Sequence, residues 1–243
     1  MRIRSFIIAY ALVLAILLFA DRRPASTGQD RYSHVVDLTD GQNATTPQTS
    51  PNTSPYTTAA ESRTRIIAPG ALIPGTWAAG QIPPERLVAP LVVMDLNAVA
   101  PSQQISLDDI AAWEARHGMI PQGAIVAIRR AGVPHAASAA VSDVAPVVPG
   151  DLSTTPLPMT RDAVMFLIDA RYTIGFVVET PVNLTSDRTL ARQLALHGDY
   201  VVEGAARFTS LPETGSLIIV APAKKMIKKP GEAAPVRILA MVR

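Results

Sequence analysis

The chain has 243 residues, 48% of them hydrophobic, enough to bury the core of one sizeable domain. Its formal charge is only +2, from 22 basic and 20 acidic residues, and the basic ones are scattered apart from one short run, which excludes the broad footprint of a nucleic-acid binder. There is no cysteine, so disulfides, thiolate nucleophiles and Cys-based zinc sites are excluded, and four histidines are all that remains for imidazole chemistry.

Arg2 and Arg4 precede an uncharged, mainly apolar stretch, Ser5 to Ala20, closed by Asp21, Arg22 and Arg23. This is the layout of a signal peptide or a signal anchor, and either implies export. As a helix rising ~1.5 Å per residue the stretch reaches roughly 24 Å, short of a ~30 Å hydrocarbon core unless the flanking arginines snorkel. Residues 1–23 are therefore either cleaved, giving a secreted or periplasmic protein, or kept as an anchor with the domain on the exported side. Residues 24–58 are rich in Ser, Thr, Pro, Asn and Gln and read as a tether, interrupted by a predicted first strand at 34–39, HVVDLT. The domain proper is expected over 59–243.

Leu87 to Leu96 is a nearly continuous apolar run, the pattern of a strand covered on both faces. Ser106 is placed to cap a helix with Asp108 and Asp109 in its first turn, Leu107, Ile110, Ala111 and Ala115 on one face, and Gly118 after its end. Ala124 to Ile128 predicts another buried strand, and the Pro/Ala/Ser/Val-rich residues 131–158 a long loop or insertion. Thr160 predicts a second helix cap, with Val164, Leu167 and Ile168 facing the core, and Ile174 to Glu179 a strand. A helix from near Asp187 to Gly198, a strand at Tyr200 to Glu203, and strands Ser216 to Ala221 and Val236 to Val242 complete the order. The last two are joined by the basic run Lys224, Lys225, Lys228 and Lys229, which reads as a solvated loop or, near an anionic membrane, a contact of about 1 kcal/mol per Lys.

The stretch Glu61 to Leu96, ESRTRIIAPGALIPGTWAAGQIPPERLVAPLVVMDL, resembles the central signature of the cyclase family of metal-dependent amide hydrolases, the family of bacterial kynurenine formamidase. SLDDIAAWEARHGMIPQGAIVAIRR and VVEGAARFTSLP are similar to later segments of that family, so the resemblance runs from about Tyr32 to Arg243. It implies an α/β cyclase-like domain, a mixed sheet with flanking helices, here preceded by one N-terminal membrane or signal helix. In the family the pattern His-x-Gly-Thr-His-x-Asp-Ala-Pro-x-His, with a later His and Glu, holds a divalent metal pair. Set in register on Thr64, Ala68, Pro69, Pro74 and Gly75, those positions hold Glu61, Arg65, Ile67, Ala71, Ala191 and Glu203. The turn after the strand at 175 keeps Thr180 and Pro181 but has Val182 and Leu184 where the family carries polar residues.

Metal ligands must converge at about 2.0–2.2 Å, and a permanently charged arginine among two acids does not form such a site. Arg65 is instead expected to pair with Glu203, an internal ion pair in place of the metal. His117 and His197, each before a helix-ending Gly, read as capping residues; His34 and His135 share no ligand spacing. No catalytic residue, metal or cofactor is assigned. The sequence thus points to an exported, membrane-anchored, catalytically inactive cyclase-like protein, an accessory or scaffold subunit of a membrane complex or a homo-oligomer. The alternatives are a divergent metal-dependent amide hydrolase and a small-molecule binding protein using the old pocket.

Overall fold

A computed structural model describes residues 32–40, 64–96, 104–130, 156–223 and 233–243. Apart from Tyr32, these fall in the unit Ser33–Arg243. Its strands are β1 (His34–Asp37), β2 (Arg65–Ile67), β3 (Val88–Leu96), β4 (Ile125–Arg130), β5 (Gly175–Val178), β6 (Tyr200–Glu203), β7 (Ser216–Pro222) and β8 (Ala234–Val242). Its helices are α1 (Pro69–Leu72), α2 (Leu107–His117), α3 (Arg161–Arg171) and α4 (Arg188–His197).

The sheet order is β1-β8-β2-β6-β5-β4-β3-β7, and β7 also pairs with β8. Seven strands therefore close into a barrel, a stronger arrangement than the expected mixed sheet because closure leaves fewer free edges. Strands β3, β4, β5 and β6 run parallel, whereas β2, β7 and β8 make antiparallel pairings. One edge of β8 serves two partners, β2 through Ala234 and Pro235 and β1 through Leu239 to Val242.

Alternation along the strands makes two cores. Ile66, Leu91, Val93, Ile125, Ala127, Val177, Val202, Ile218 and Ile238 point into the barrel with Tyr200 and Phe208. Their neighbours Val92, Val126, Ile128, Phe176, Val178 and Val201 point outward into an apolar layer shared with α2, α3 and α4. The parallel strands are thus buried on both faces, which is why their sequences read as continuous apolar runs.

Helix ends follow the expected chemistry. Ser106 Oγ accepts from Asp109 N–H at 3.3 Å while Asp109 Oδ2 accepts from Ser106 N–H at 2.8 Å, a reciprocal cap. Thr160 Oγ1 accepts from Ala163 N–H, and Asp187 Oδ1 accepts from Thr189 and Leu190. Gly198 ends α4 at φ +75°, a left-handed value suited to glycine. Ser106→Ala is expected to lower stability by about 1 kcal/mol in urea unfolding, the usual loss for an N-cap hydroxyl.

The face expected for α2 is corrected. Ile110 and Trp113 are buried, whereas Leu107, Ala111 and Ala115 are exposed. The indole decides the rotation, because Trp113 is the bulkiest apolar side chain on the helix and its Nε1–H donates to Val93 O at 3.1 Å. The end of the stretch expected as a loop, 131–158, also packs inward: Leu157 is buried, and just beyond the stretch the buried Met159 bridges Ile105. The expected membrane or signal segment, most of the tether, Glu61, His135 and Lys224, Lys225, Lys228 and Lys229 lie outside the described residues. Among the described residues no helix is long and apolar enough to cross a membrane.

Candidate functional site

The signature positions that can be described do come together. Arg65 stands opposite Glu203 and Ile67 opposite Val201 across the β2–β6 pairing. The β2–β6 wall lies next to α1, which carries Ala71, and α1 packs against α4, which carries Ala191. Since Ile66 and Val202 point into the barrel, Ile67 and Glu203 belong to its outer face.

The chemistry of that face is apolar. Ile67 and Leu72 pack against an outer layer that includes Val182, Leu184, Leu190 and Leu194, and Ala191 is 8% exposed. Glu203 is a buried carboxylate whose Oε2 accepts from Val182 N–H at 3.0 Å. Burial raises its pKa, opposed by the Val182 hydrogen bond and by the field of Arg65. The Arg65 guanidinium donates to Ala233 O at 2.9 Å while Glu203 accepts from Val182 N–H, so the two expected partners are cross-strand neighbours, each hydrogen-bonded to backbone. The residues present do not fit a divalent metal pair: Arg65, Ile67, Ala71 and Ala191 offer no anionic or imidazole donor. Among the described residues no cluster of three or more His, Cys, Asp or Glu could hold a metal ion.

Two further polar constellations join segments distant in sequence. At the C-terminal ends of β3 and β4, Arg129 grips Asp95 in a bidentate pair, its second bond at 2.7 Å, while Nη1 donates to Phe208 O and Leu211 O at 3.0 Å each. Arg129 shares the inward side of β4 with Ala127, so it ties the barrel rim to the turn Phe208–Ser210 that covers it. The second is Arg86, whose Nη2 donates to Asp199 Oδ1 at 2.8 Å and Gly198 O at 3.1 Å. Its backbone carbonyl accepts from Tyr200 Oη at 2.7 Å. Neither pair has a local sequence signal, since the partners lie 34 and 113 residues apart.

His117 Nε2 lies 2.7 Å from Glu213 Oε2 and its ring stacks on Trp113, while His197 Nε2 lies 3.8 Å from Asp169 Oδ1. His34 is exposed beside Ser33 Oγ.

A protein family described as "Putative cyclase" matches residues 33–182. The chain is similar to an isatin hydrolase of Roseibium aggregatum, with 31% identity over 173 residues, 65% of this chain and 61% of that protein. The match thus spans less than two thirds of that relative's length. Among solved structures, isatin hydrolase A from Ralstonia solanacearum superposes with a TM-score of 0.57 and 28% identity, covering 74% of this chain and 71% of that one. Isatin hydrolase A from Labrenzia aggregata, bound to benzyl benzoate, superposes with a TM-score of 0.59 at 24% identity, covering 86% and 93%, which bears on the fold alone.

Proposed function

Because the chain belongs to the cyclase family, we propose that it keeps the family's barrel without its metal hydrolysis and acts as a non-catalytic accessory or scaffold protein. One observation carries this reading. Of the described positions aligned with metal ligands, Glu203 alone keeps a donor, and its carboxylate is held by the Val182 N–H in an apolar layer. The N-terminal sequence supports placing the domain on the exported side of a membrane, anchored or released. A protein partner, or a second copy, is supported by the outer face of β1, β8, β7 and β3. There Val35 aligns with Met241 and Leu217, and Leu239 with Ile219 and Val88. Val35 and Val88 are exposed, and the other four are half-buried.

The similarity to isatin hydrolases favours a second reading, a divergent hydrolase of aryl or cyclic amides with a relocated site. The two are separated by extracting the full chain gently from its membrane and measuring its metal content, its co-purifying proteins and its turnover of isatin and an aryl formamide. The accessory reading expects a stoichiometric partner or homo-oligomer, well under one zinc or manganese per chain, and no hydrolysis above the no-enzyme rate. Chelator-sensitive hydrolysis with bound metal would replace it with the hydrolase.

A further inference from the structure

We infer that the flap from Ile73 to Ala78 is held down by a charge-dependent latch, the Arg86–Asp199 pair, and that neutralising Asp199 releases Trp77 from its seat on Gly198. The flap follows α1, and its exposed tip is Pro74 and Gly75. Trp77 is 39% exposed yet occupies a fitted place: a Cβ added at Gly198 would come within 2.6 Å of its Cζ3. Its carbonyl accepts from Gly70 N–H at 2.7 Å, and the Arg86 guanidinium lies 5.8 Å from the indole centroid, within cation–π range. The same guanidinium bonds Asp199, so one side chain touches both the flap and the α4–β6 turn.

The latch is under-satisfied. Asp199 is 1% exposed, with Oδ1 paired to Arg86 and the buried Oδ2 without a partner. Arg86 Nε is likewise buried and unpartnered, so the pair is held end-on rather than as a two-bond fork. Burial pushes the Asp199 carboxyl up to about 7, against the pull of Arg86. Around it stand Arg86 from the turn Pro84–Arg86 and Tyr200 on β6, while His197, two residues earlier at the end of α4, lies 3.8 Å from Asp169 of α3. Above neutrality the ionised Asp199 fixes the guanidinium; below it a neutral acid leaves Arg86 with weaker carbonyl contacts, and Trp77 loses its neighbour.

The test is acrylamide quenching of tryptophan fluorescence in the full chain across pH. Trp113 is 3% exposed, so the accessible signal is that of Trp77. Quenching is expected to rise roughly twofold from about pH 8.5 to about pH 5.5 as Asp199 protonates. Asp199→Asn should show the high value at every pH, and His197→Gln should keep the transition. Hydrogen exchange of the Gly70 amide, measured on the unmutated chain against the Val201 amide, should lose protection over the same range. That readout keeps the test decisive if Asp199→Asn does not fold. A flat profile in the unmutated chain overturns the latch, as does a transition that survives Asp199→Asn or vanishes in His197→Gln.

Discussion

Arg129→Leu should lower stability by about 2 kcal/mol, between the small loss at an exposed ion pair and the larger one when a partner of a buried pair is removed, because Arg129 and Asp95 are half-buried. Arg129 does three things with one planar group. It closes a fork on Asp95 of the neighbouring strand, and it caps the carbonyls of Phe208 and Leu211. The side chains of Arg129 and Asp95 are only 16% and 29% exposed, so water cannot fully replace the lost donors. Removing the guanidinium strands one carboxylate and loosens the turn whose Phe208 is fully buried in the barrel. Arg129→Lys should recover little, because an ammonium cannot make the fork and reach both carbonyls. The double change Arg129→Leu with Asp95→Leu should recover part of the loss, since no charge is then left unpaired. Urea unfolding reads all three. A loss below about 1 kcal/mol for Arg129→Leu would mean that the pair behaves as an ordinary surface ion pair and that the turn is held by Phe208 alone.

What could be read from the sequence divides along the range of the interactions. Local chemistry was legible: Ser106, Thr160 and Asp187 each cap the helix expected, and Gly198 ends α4. The apolar runs Leu87–Leu96 and Ala124–Ile128 fall on strands β3 and β4, whose stretches Leu91–Met94 and Ile125–Ile128 are covered on both faces. The cyclase resemblance was legible because Ala68, Pro69 and Gly75 punctuate the chain at family spacing, and the family match bears it out over residues 33–182. The alanines at 111 and 115 suggest a different face for α2, but buried area decides the rotation, and the large Trp113 is 3% exposed. Closure of the barrel is not legible, since it depends on β8 pairing with β7 on one edge and with the sequence-distant β2 on the other. Arg129 and Arg86 were invisible as organisers for the same reason: each acts on segments distant in sequence.

Glu203→Gln should raise stability by about 1–2 kcal/mol at pH 8, the opposite of what a metal ligand would do. The amide oxygen can still accept from Val182 N–H, so the hydrogen bond at 3.0 Å survives. What disappears is the charge, which burial disfavours; that is the first cause of the raised pKa, with Val182 and Arg65 opposing it. The sign follows from linkage. A carboxyl whose pKa is higher in the folded chain binds a proton that the unfolded chain has released, so its contribution is whole below the ordinary glutamate range near ~4.3 and is lost as pH rises through the folded value. The unmutated chain should therefore lose stability with rising pH over that window more steeply than Glu203→Gln, and the two should converge in acid. Were Glu203 holding a metal, the variant would instead lose stability and bound metal together, and adding zinc or manganese would stabilise only the unmutated chain. Unfolding curves at about pH 5 and pH 8, with and without added metal, separate these cases. A stabilised, metal-indifferent Glu203→Gln means that the apolar packing of Ile67, Leu72 and Val182 has taken over the old ligand position.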